Sequence, residues 1–264
     1  MLVLVIPAKN ESNRLICLLN HLLAKHGFTN IFVILNGSTD NTADEICHLA
    51  DHIKIVHYRE ALGYDVPRAM GAYHAYRAGA TGVIFVDGDM VGEFIDNLLD
   101  IKGELQGGAD LVLTNCYPYV AKRHPLASKA IHFRLLLNKE LGLYHKIGIA
   151  SPSHGLVGVS RRFLETIPLQ ELAIPPVSLA LARKKNLVIK VGTAISHLDL
   201  GSKIRTPFHA KKIADTIIGD CLEAICAFKG VPRNRTCQGK EYQGYHPLRR
   251  FDLISSLTVS PPVN

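Results

Sequence analysis

Val83-Ile84-Phe85-Val86-Asp87-Gly88-Asp89-Met90 is the stretch whose reading decides the fold. Four consecutive apolar residues run into two carboxylates separated by a glycine. A short all-apolar run that ends on turn residues reads as a buried parallel strand. In open α/β sheets the ligand sits beyond the carboxyl ends of the strands, where Asp87 and Asp89 fall. Residues two apart in an extended segment point the same way. Two carboxylates on one side make a hard oxygen site suited to Mg²⁺ or Mn²⁺. Gly88 lets the backbone come close to a ligand. The triplet taken alone also fits an ordinary strand exit, where Asp and Gly are common.

Upstream of this stretch the pattern repeats. Strands are predicted over 2–6, 31–35, 53–57 and 82–86, and helices over 14–25, 43–50 and 67–78. The proline of the third helix sits in its first turn, where it is well tolerated. Strand, loop and helix in regular alternation predict an α/β, mostly parallel, doubly wound sheet flanked by helices. The loops that follow successive strands then converge on one sheet edge. Downstream the alternation is less regular. Helices are predicted over 94–106, 126–141, 177–185 and 208–228, with a helix starting at Arg161, and strands over 110–114 and 187–191. Residues 151–160 read as a small-residue loop leading into a strand. From Gly230 the chain reads as a basic loop. Between 203 and 250 ten Lys or Arg face four Asp or Glu, a balance expected of a solvated face.

The 264 residues fit one large domain. A net charge of +7 allows anionic substrates, nucleic acid or an acidic membrane surface and selects none of them. No apolar run reaches the length of a membrane span. Met1 to Ile6 reads as a first strand and not as a signal peptide. The six scattered cysteines form no Cys-x-x-Cys pair, which speaks against a disulfide framework or zinc site and for a cytoplasmic protein.

Ile6-Pro7-Ala8-Lys9-Asn10-Glu11, Asn36-Gly37-Ser38-Thr39-Asp40-Asn41-Thr42 and Val86-Asp87-Gly88-Asp89, each after a strand, resemble the nucleotide-sugar-binding half of family 2-like glycosyltransferases with the GT-A fold. The likeness implies a nucleotide-sugar-binding half over 1–115, an acceptor-binding half over 116–205, and a C-terminal helix and basic tail over 206–264. It implies that Pro7, Ala8, Asn10, Glu11, Asn36, Asp40, Gly63, Arg68, Asp87 and Gly88 hold the nucleotide sugar. Glu11 and Asp40 would accept from base and ribose, and Arg68 would pair with a phosphate oxygen. Asn36 departs from the family, where an aspartate is common. Asp40 and Asn41 also fit helix caps, and Arg68 also fits a surface helix residue.

Asp89 is the expected direct ligand of a Mg²⁺ or Mn²⁺ ion and the residue expected to carry catalysis. Asp87 is expected on the ribose, or on the metal through water. His197, after the last predicted strand, resembles the metal-binding histidine of several GT-A enzymes. The order Gly63, Arg68, Asp87-Gly88-Asp89, Gly155, His197 is similar to glucosyl-3-phosphoglycerate and mannosylglycerate synthases, which retain configuration. Lys122, Arg123, His124, His154 and Gly155 are the candidate acceptor residues, suited to a small anionic metabolite.

Inverting family 2 enzymes carry an acid just before the helix at 177–185 as general base. Here the segment Leu172 to Leu179 has none, and Glu165 and Glu171 are the nearest candidates. The resemblance therefore implies a metal-dependent glycosyltransferase, with retention or weakened activity. A catalytically weakened nucleotide-sugar-binding or scaffold protein is the alternative reading. A sugar-phosphate nucleotidyltransferase ranks lower, because the first loop lacks glycine. The basic tail carries no nucleic-acid motif. The 208–228 helix leaves open a homodimer, a lid over the acceptor or a peripheral membrane contact, with core packing as the default.

Overall fold

The computed structural model describes residues 1–24, 28–119, 124–202, 206–255 and 257. Strand and helix alternate through β1 (Leu2–Ala8), α1 (Ser12–Ala24), β2 (Ile31–Asn36), α2 (Thr42–Ile46), β3 (Lys54–Tyr58), α3 (Val66–Arg77), β4 (Gly82–Phe85) and α4 (Ile95–Gln106). The second half holds β5 (Leu111–Asn115), α5 (Pro125–Glu140), α6 (Tyr144–Ile147), β6 (Val157–Ser160), α7 (Arg161–Thr166), α8 (Pro175–Lys184), β7 (Ile189–Ala194) and α9 (Pro207–Lys229). A short hairpin, β8 (Thr236–Cys237) and β9 (Lys240–Glu241), and α10 (Phe251–Ile254) follow. The helix predicted over 43–50 divides into α2 and a 3₁₀ turn, Cys47–Leu49.

Seven strands form one sheet in the order β3-β2-β1-β4-β6-β5-β7. All neighbours are parallel except β6, which runs against both β4 and β5. That reversal matters for function. Val157, the first residue of β6, is opposite Phe85, the last of β4, so the 151–156 loop arrives at the edge where β4 ends. Asn115 and Ala194 close β5 and β7 side by side at the same edge. The register thus brings the exits of β1, β4, β5 and β7 and the entry of β6 together.

The sheet is buried on both faces, as a parallel sheet requires. Successive side chains point to opposite faces, so the strands serve two cores. Val3, Val5, Phe32, Ile34, Val83 and Phe85 face the core shared with α3, α5, α8 and α9. Leu4, Ile6, Ile31, Val33, Ile84 and Val86 face the core shared with α1 and α4. α9 packs along α5 and α8, which satisfies its apolar stripe by core packing.

The tail does not behave as a solvated loop. The chain from Arg233 to Ile254 folds back over the start of α3 and the middle of α9. Arg235 and Arg249 are only 4% and 5% exposed. Arg235 Nη1 donates to Asp220 at 2.7 Å and Glu223 at 3.1 Å. Arg249 forks onto both oxygens of Asp220 at 2.7 Å and reaches Asp65 at 3.1 Å and the Tyr64 carbonyl at 3.0 Å. Charge counting along the sequence cannot separate these two arginines from their solvated neighbours, because their acids lie on other elements.

His246 sits against both guanidiniums, with Nδ1 accepting from Arg235 at 3.1 Å and Arg249 at 3.3 Å. Burial and these two cations hold it down to about 4, against an ordinary 6.5, with Asp220 pulling the other way. Burial also lowers His74, His154 and His197. The unfolded chain therefore takes up protons near pH 6.5 that the fold refuses, and stability falls as pH drops towards 4. Asp65, pushed up to about 6 by burial, and Glu223, also raised by burial, act in the opposite sense. Four histidines outnumber two acids, so the melting temperature is expected to fall between pH 7 and pH 5. His246→Gln should flatten that fall in a thermal-melt series across pH.

Candidate active site

The Asp87–Asp89 turn is fixed from three sides. Gly88 N–H donates to the Pro7 carbonyl at 3.1 Å. A Cβ on Gly88 would meet the Ala8 Cβ at 2.9 Å, so the close approach of the β1 exit demands glycine. Arg14 on α1 donates through Nε and Nη2 to the Asp89 carbonyl at 2.9 and 2.7 Å, and also to the Gly201 carbonyl. The 87–89 turn and the 197–201 turn are thereby tied through one side chain. Asp89 is 9% exposed.

Asp87 has a partner. Arg68 Nη2 donates to its Oδ1 at 2.6 Å, while Nη1 donates to the Pro152 carbonyl at 3.0 Å. Arg68 is 5% exposed, which overturns the surface-residue alternative. It pins the 151–155 loop to the end of β4 from the first turn of α3. Asp65, at the N-cap of that helix, lies 3.8 Å from Arg68 Nε and accepts from Arg249. An alternating chain of charge, buried except at its half-exposed first member, therefore runs Asp87, Arg68, Asp65, Arg249, Asp220, Arg235, Glu223 from the sheet edge to the tail.

The first two loops form one ledge. Asn10 Oδ1 accepts from Thr39 N–H at 2.8 Å, and Glu11 N–H donates to Thr42 Oγ1 at 3.1 Å. Glu11 is 5% exposed. Asp40 is exposed, and its Oδ1 accepts from the Thr42 N–H at 3.1 Å and from the Thr42 hydroxyl. Partial desolvation would raise the Asp40 carboxyl, but the hydrogen bonds from Thr42 outweigh it and hold it below its ordinary value. Asp40 thus organises the turn, and Asn41 makes no side-chain cap bond to α2.

Asn36 and Gly63 take different roles from those expected. Asn36 Oδ1 accepts from Leu62 N–H at 2.6 Å and its Nδ2 donates to the Gly63 carbonyl at 3.2 Å. Both ends of the amide are spent on the 62–63 loop. Gly63 has φ 92°, and a Cβ there would meet the Leu248 carbonyl oxygen at 2.1 Å. The glycine is required by the tail that crosses over it. The departure from aspartate at 36 then has a physical reason, since a carboxylate cannot donate to Gly63. Asn36→Asp is expected to destabilise the fold by about 1–3 kcal/mol through the unpaired buried acceptors, as measured by denaturant unfolding.

His154 and His197 meet. Their Nε2 and Nδ1 atoms are 2.8 Å apart, and His197 N–H donates to the Cys116 carbonyl at 3.1 Å. Burial, with help from Arg134, lowers both rings, more so His154, while the Asp89 carboxylate pulls His197 back up. His197 and Asp89 therefore share one electrostatic neighbourhood. The other candidates fare differently. Gly155 packs against Cys116 and Thr114. His124 caps α5, its Nδ1 accepting from Leu126 N–H at 3.2 Å. Lys122 and Arg123 lie outside the described residues. All six cysteines are free thiols.

Residues 3–167, more than half of the chain, match the model for glycosyl transferase family 2. The chain belongs to glycosyl transferase family 2. It is a nucleotide-sugar-dependent glycosyltransferase by that membership. No curated protein sequence matches it. Among solved structures it is similar to a mycobacterial protein, with 17% identity over 93% of this chain and 82% of that one and a TM-score of 0.61. It is also similar to glucosyl-3-phosphoglycerate synthase from Mycobacterium tuberculosis in complex with Mn²⁺, UDP and glucosyl-3-phosphoglycerate, with 16% identity, 88% and 81% coverage and a TM-score of 0.57. The same enzyme with Mn²⁺, UDP-glucose and phosphoglyceric acid gives 17%, 88%, 80% and 0.57. At these identities the likeness concerns the fold, which is the GT-A-like fold expected from the sequence.

For a family 2 glycosyltransferase, the acids offered in place of the usual base are engaged elsewhere. Glu165 pairs with Arg161 at 2.7 Å, and Glu171 is held by both terminal nitrogens of Arg233 at 3.0 and 2.6 Å. Ser178 is buried and donates to the Pro175 carbonyl at 2.7 Å. Among the described residues, the group of three His, Cys, Asp or Glu side chains close enough to share an ion is Asp220, Glu223 and His246, and Arg235 already fills it. Asp87, Asp89 and His197 do not form such a closed trio. Sequence reasoning missed Arg14, Asp65, Arg134 and Arg249. For Arg134 a signal existed, because it shares the buried stripe of α5 with Ala130, Phe133 and Leu137.

Proposed function

We propose that the chain moves a sugar from a nucleoside diphosphate sugar to a small anionic acceptor with the help of Mn²⁺ or Mg²⁺. The observation that carries this reading is that Arg14 ties the Asp89 turn to the 197–201 turn, so that the Asp89 carboxylate acts on the His197 ring at the edge where the Asn10–Glu11 and Asp40 loops also end. The carboxylate suits Mn²⁺ or Mg²⁺, and a neutral imidazole is a common ligand of divalent metals. The glucosyl-3-phosphoglycerate synthase of similar fold carries Mn²⁺ and UDP, which agrees with that choice.

Asp89 and His197 would hold the ion. Asp87, whose Oδ1 is committed to Arg68, would act through water or on the ribose. When bound, such an ion offsets diphosphate charge and stabilises the leaving nucleotide. Glu11 and Asp40 present acceptors to base and ribose from residues 1–115, and residues 116–205 face the acceptor. Since Glu165 and Glu171 are paired with arginines, the departing phosphate oxygen is the base this reading assigns to the acceptor proton, which gives retention. The test is calorimetric binding of UDP with and without Mn²⁺, followed by the anomeric configuration of the product. Mn²⁺-independent or absent UDP binding would overturn the metal-dependent reading.

A further inference from the structure

Four arginines are buried among the described residues, Arg68, Arg134, Arg235 and Arg249. Three of them are ion-paired. Arg134 is not. It is 2% exposed, its Nε has no hydrogen-bond partner, and its terminal nitrogens reach only His154 Nδ1 at 3.3 Å and Ser153 Oγ at 3.4 Å. The residues outside the described set contain no Asp or Glu, apart from the chain's terminal carboxylate. Asp87 acts on Cys116 and Asp89 on His197, but among the described residues no ion pair joins a carboxylate to Arg134. Cys116 and Cys221, the thiols that feel this cation, are pushed up to about 12 by burial and stay protonated.

An isolated buried cation is costly, by several kcal/mol even after relaxation. A fold keeps one where a ligand completes it. The surroundings of Arg134 suit an oxyanion. The hydroxyls of Ser151 and Ser153 are 2.9 Å apart on the same loop as His154, so one proton bridges them and the other is free to turn to a ligand. A planar guanidinium pairs with carboxylate or phosphate in a fork. The loop that carries these hydroxyls is the one Arg68 pins to the end of β4, so the anion would lie beside Asp89 and His197.

The histidine pair adds no charge. His154 Nδ1 lies 3.3 Å from Arg134 Nη1, and the opposite side of that ring, at Nε2, is occupied by His197 Nδ1 at 2.8 Å.

We infer that Arg134, with Ser151 and Ser153, is the subsite for a carboxylate or phosphate group of the acceptor, and that it fixes the acceptor class as anionic. The assignment to the acceptor rests on the glycosyl-transfer reading above; the anion site itself does not. The test is titration calorimetry of the full chain with inorganic phosphate, and separately with UDP plus Mn²⁺, for the parent and for Arg134→Met. The parent is expected to bind phosphate, and Arg134→Met to lose about 10- to 100-fold in phosphate affinity. The variant should keep its UDP affinity and melt no lower than the parent without ligand, because it removes an uncompensated charge. Should it fail to fold, Arg134→Lys and Ser153→Ala take its place, each with weakened phosphate binding and normal UDP binding. Equal phosphate affinity in parent and variants, or no phosphate binding by the parent, overturns the site. Loss of UDP affinity along with phosphate affinity assigns the anion to the donor diphosphate and overturns the acceptor assignment. A parent that binds phosphate through Arg134 but neither UDP nor GDP with Mn²⁺ overturns the nucleoside diphosphate donor reading and leaves the anion site standing.

Discussion

Arg249→Ala is expected to cost the fold about 3–5 kcal/mol. The guanidinium sits between Asp220 and Asp65, with two bonds of 2.7 Å to the first and one of 3.1 Å to the second. Alanine leaves both carboxylates buried without that partner. Asp220 keeps Arg235, but Asp65 keeps only Arg68 at 3.8 Å. The loss is therefore larger than a surface ion pair could give, since exposed pairs contribute about 0–1 kcal/mol. The penalty belongs to the stranded acids, and that is testable. Arg249→Met combined with Asp65→Asn removes the stranded charge as well and should recover much of the stability in urea unfolding. A double variant no better than Arg249→Ala would show that the tail is held by packing and not by this pair. The effect should also reach the sheet edge. Arg249 holds Asp65, Asp65 faces Arg68, and Arg68 holds Asp87, so the variant is expected to bind UDP with Mn²⁺ more weakly even below its melting temperature.

This chain of charge marks the limit of what the sequence discloses. Periodicity gave the strands and helices to within a few residues, because each buried face imposes its own period. The β-loop-α order gave the parallel sheet and the edge at which Asp87, Asp89 and Asp40 gather. The reversed strand β6 was not legible, since Val157–Ser160 has the same apolar character whichever way it runs. Its direction is what carries His154 to the site. Partners across long sequence separations were also hidden. Asn36 reads as a weakened nucleotide ligand until Leu62 and Gly63 are seen on its amide. Arg235 and Arg249 read as members of a basic tail until Asp220 is found on the far side of α9. What distinguishes them is a charged residue at a buried helical position, as with Asp220 and Glu223 within the apolar stripe of α9. Arg134 on α5 carries the same mark.

Asp89→Asn is the sharper probe of chemistry, and its outcome separates ligand from scaffold. The clamp from Arg14 goes to the main-chain carbonyl of Asp89, so a change of side chain leaves those bonds in place. Asparagine keeps size and hydrogen-bonding capacity and removes only the charge. Changing an outer partner of a metal ligand costs about 10- to 100-fold in metal affinity. A direct ligand should cost more, and Mn²⁺-dependent transfer or hydrolysis of the sugar donor is expected to fall by at least about 100-fold. Asp87→Asn should behave differently. Its carboxylate neutralises Arg68 at 2.6 Å, so that variant loses stability as well as donor affinity. The comparison is a Mn²⁺ titration of both variants alongside their melting temperatures. If Asp89→Asn bound Mn²⁺ like the parent while Asp87→Asn did not, the roles assigned to the two carboxylates would be reversed, and the Arg68 pair would have to open before the ion could enter.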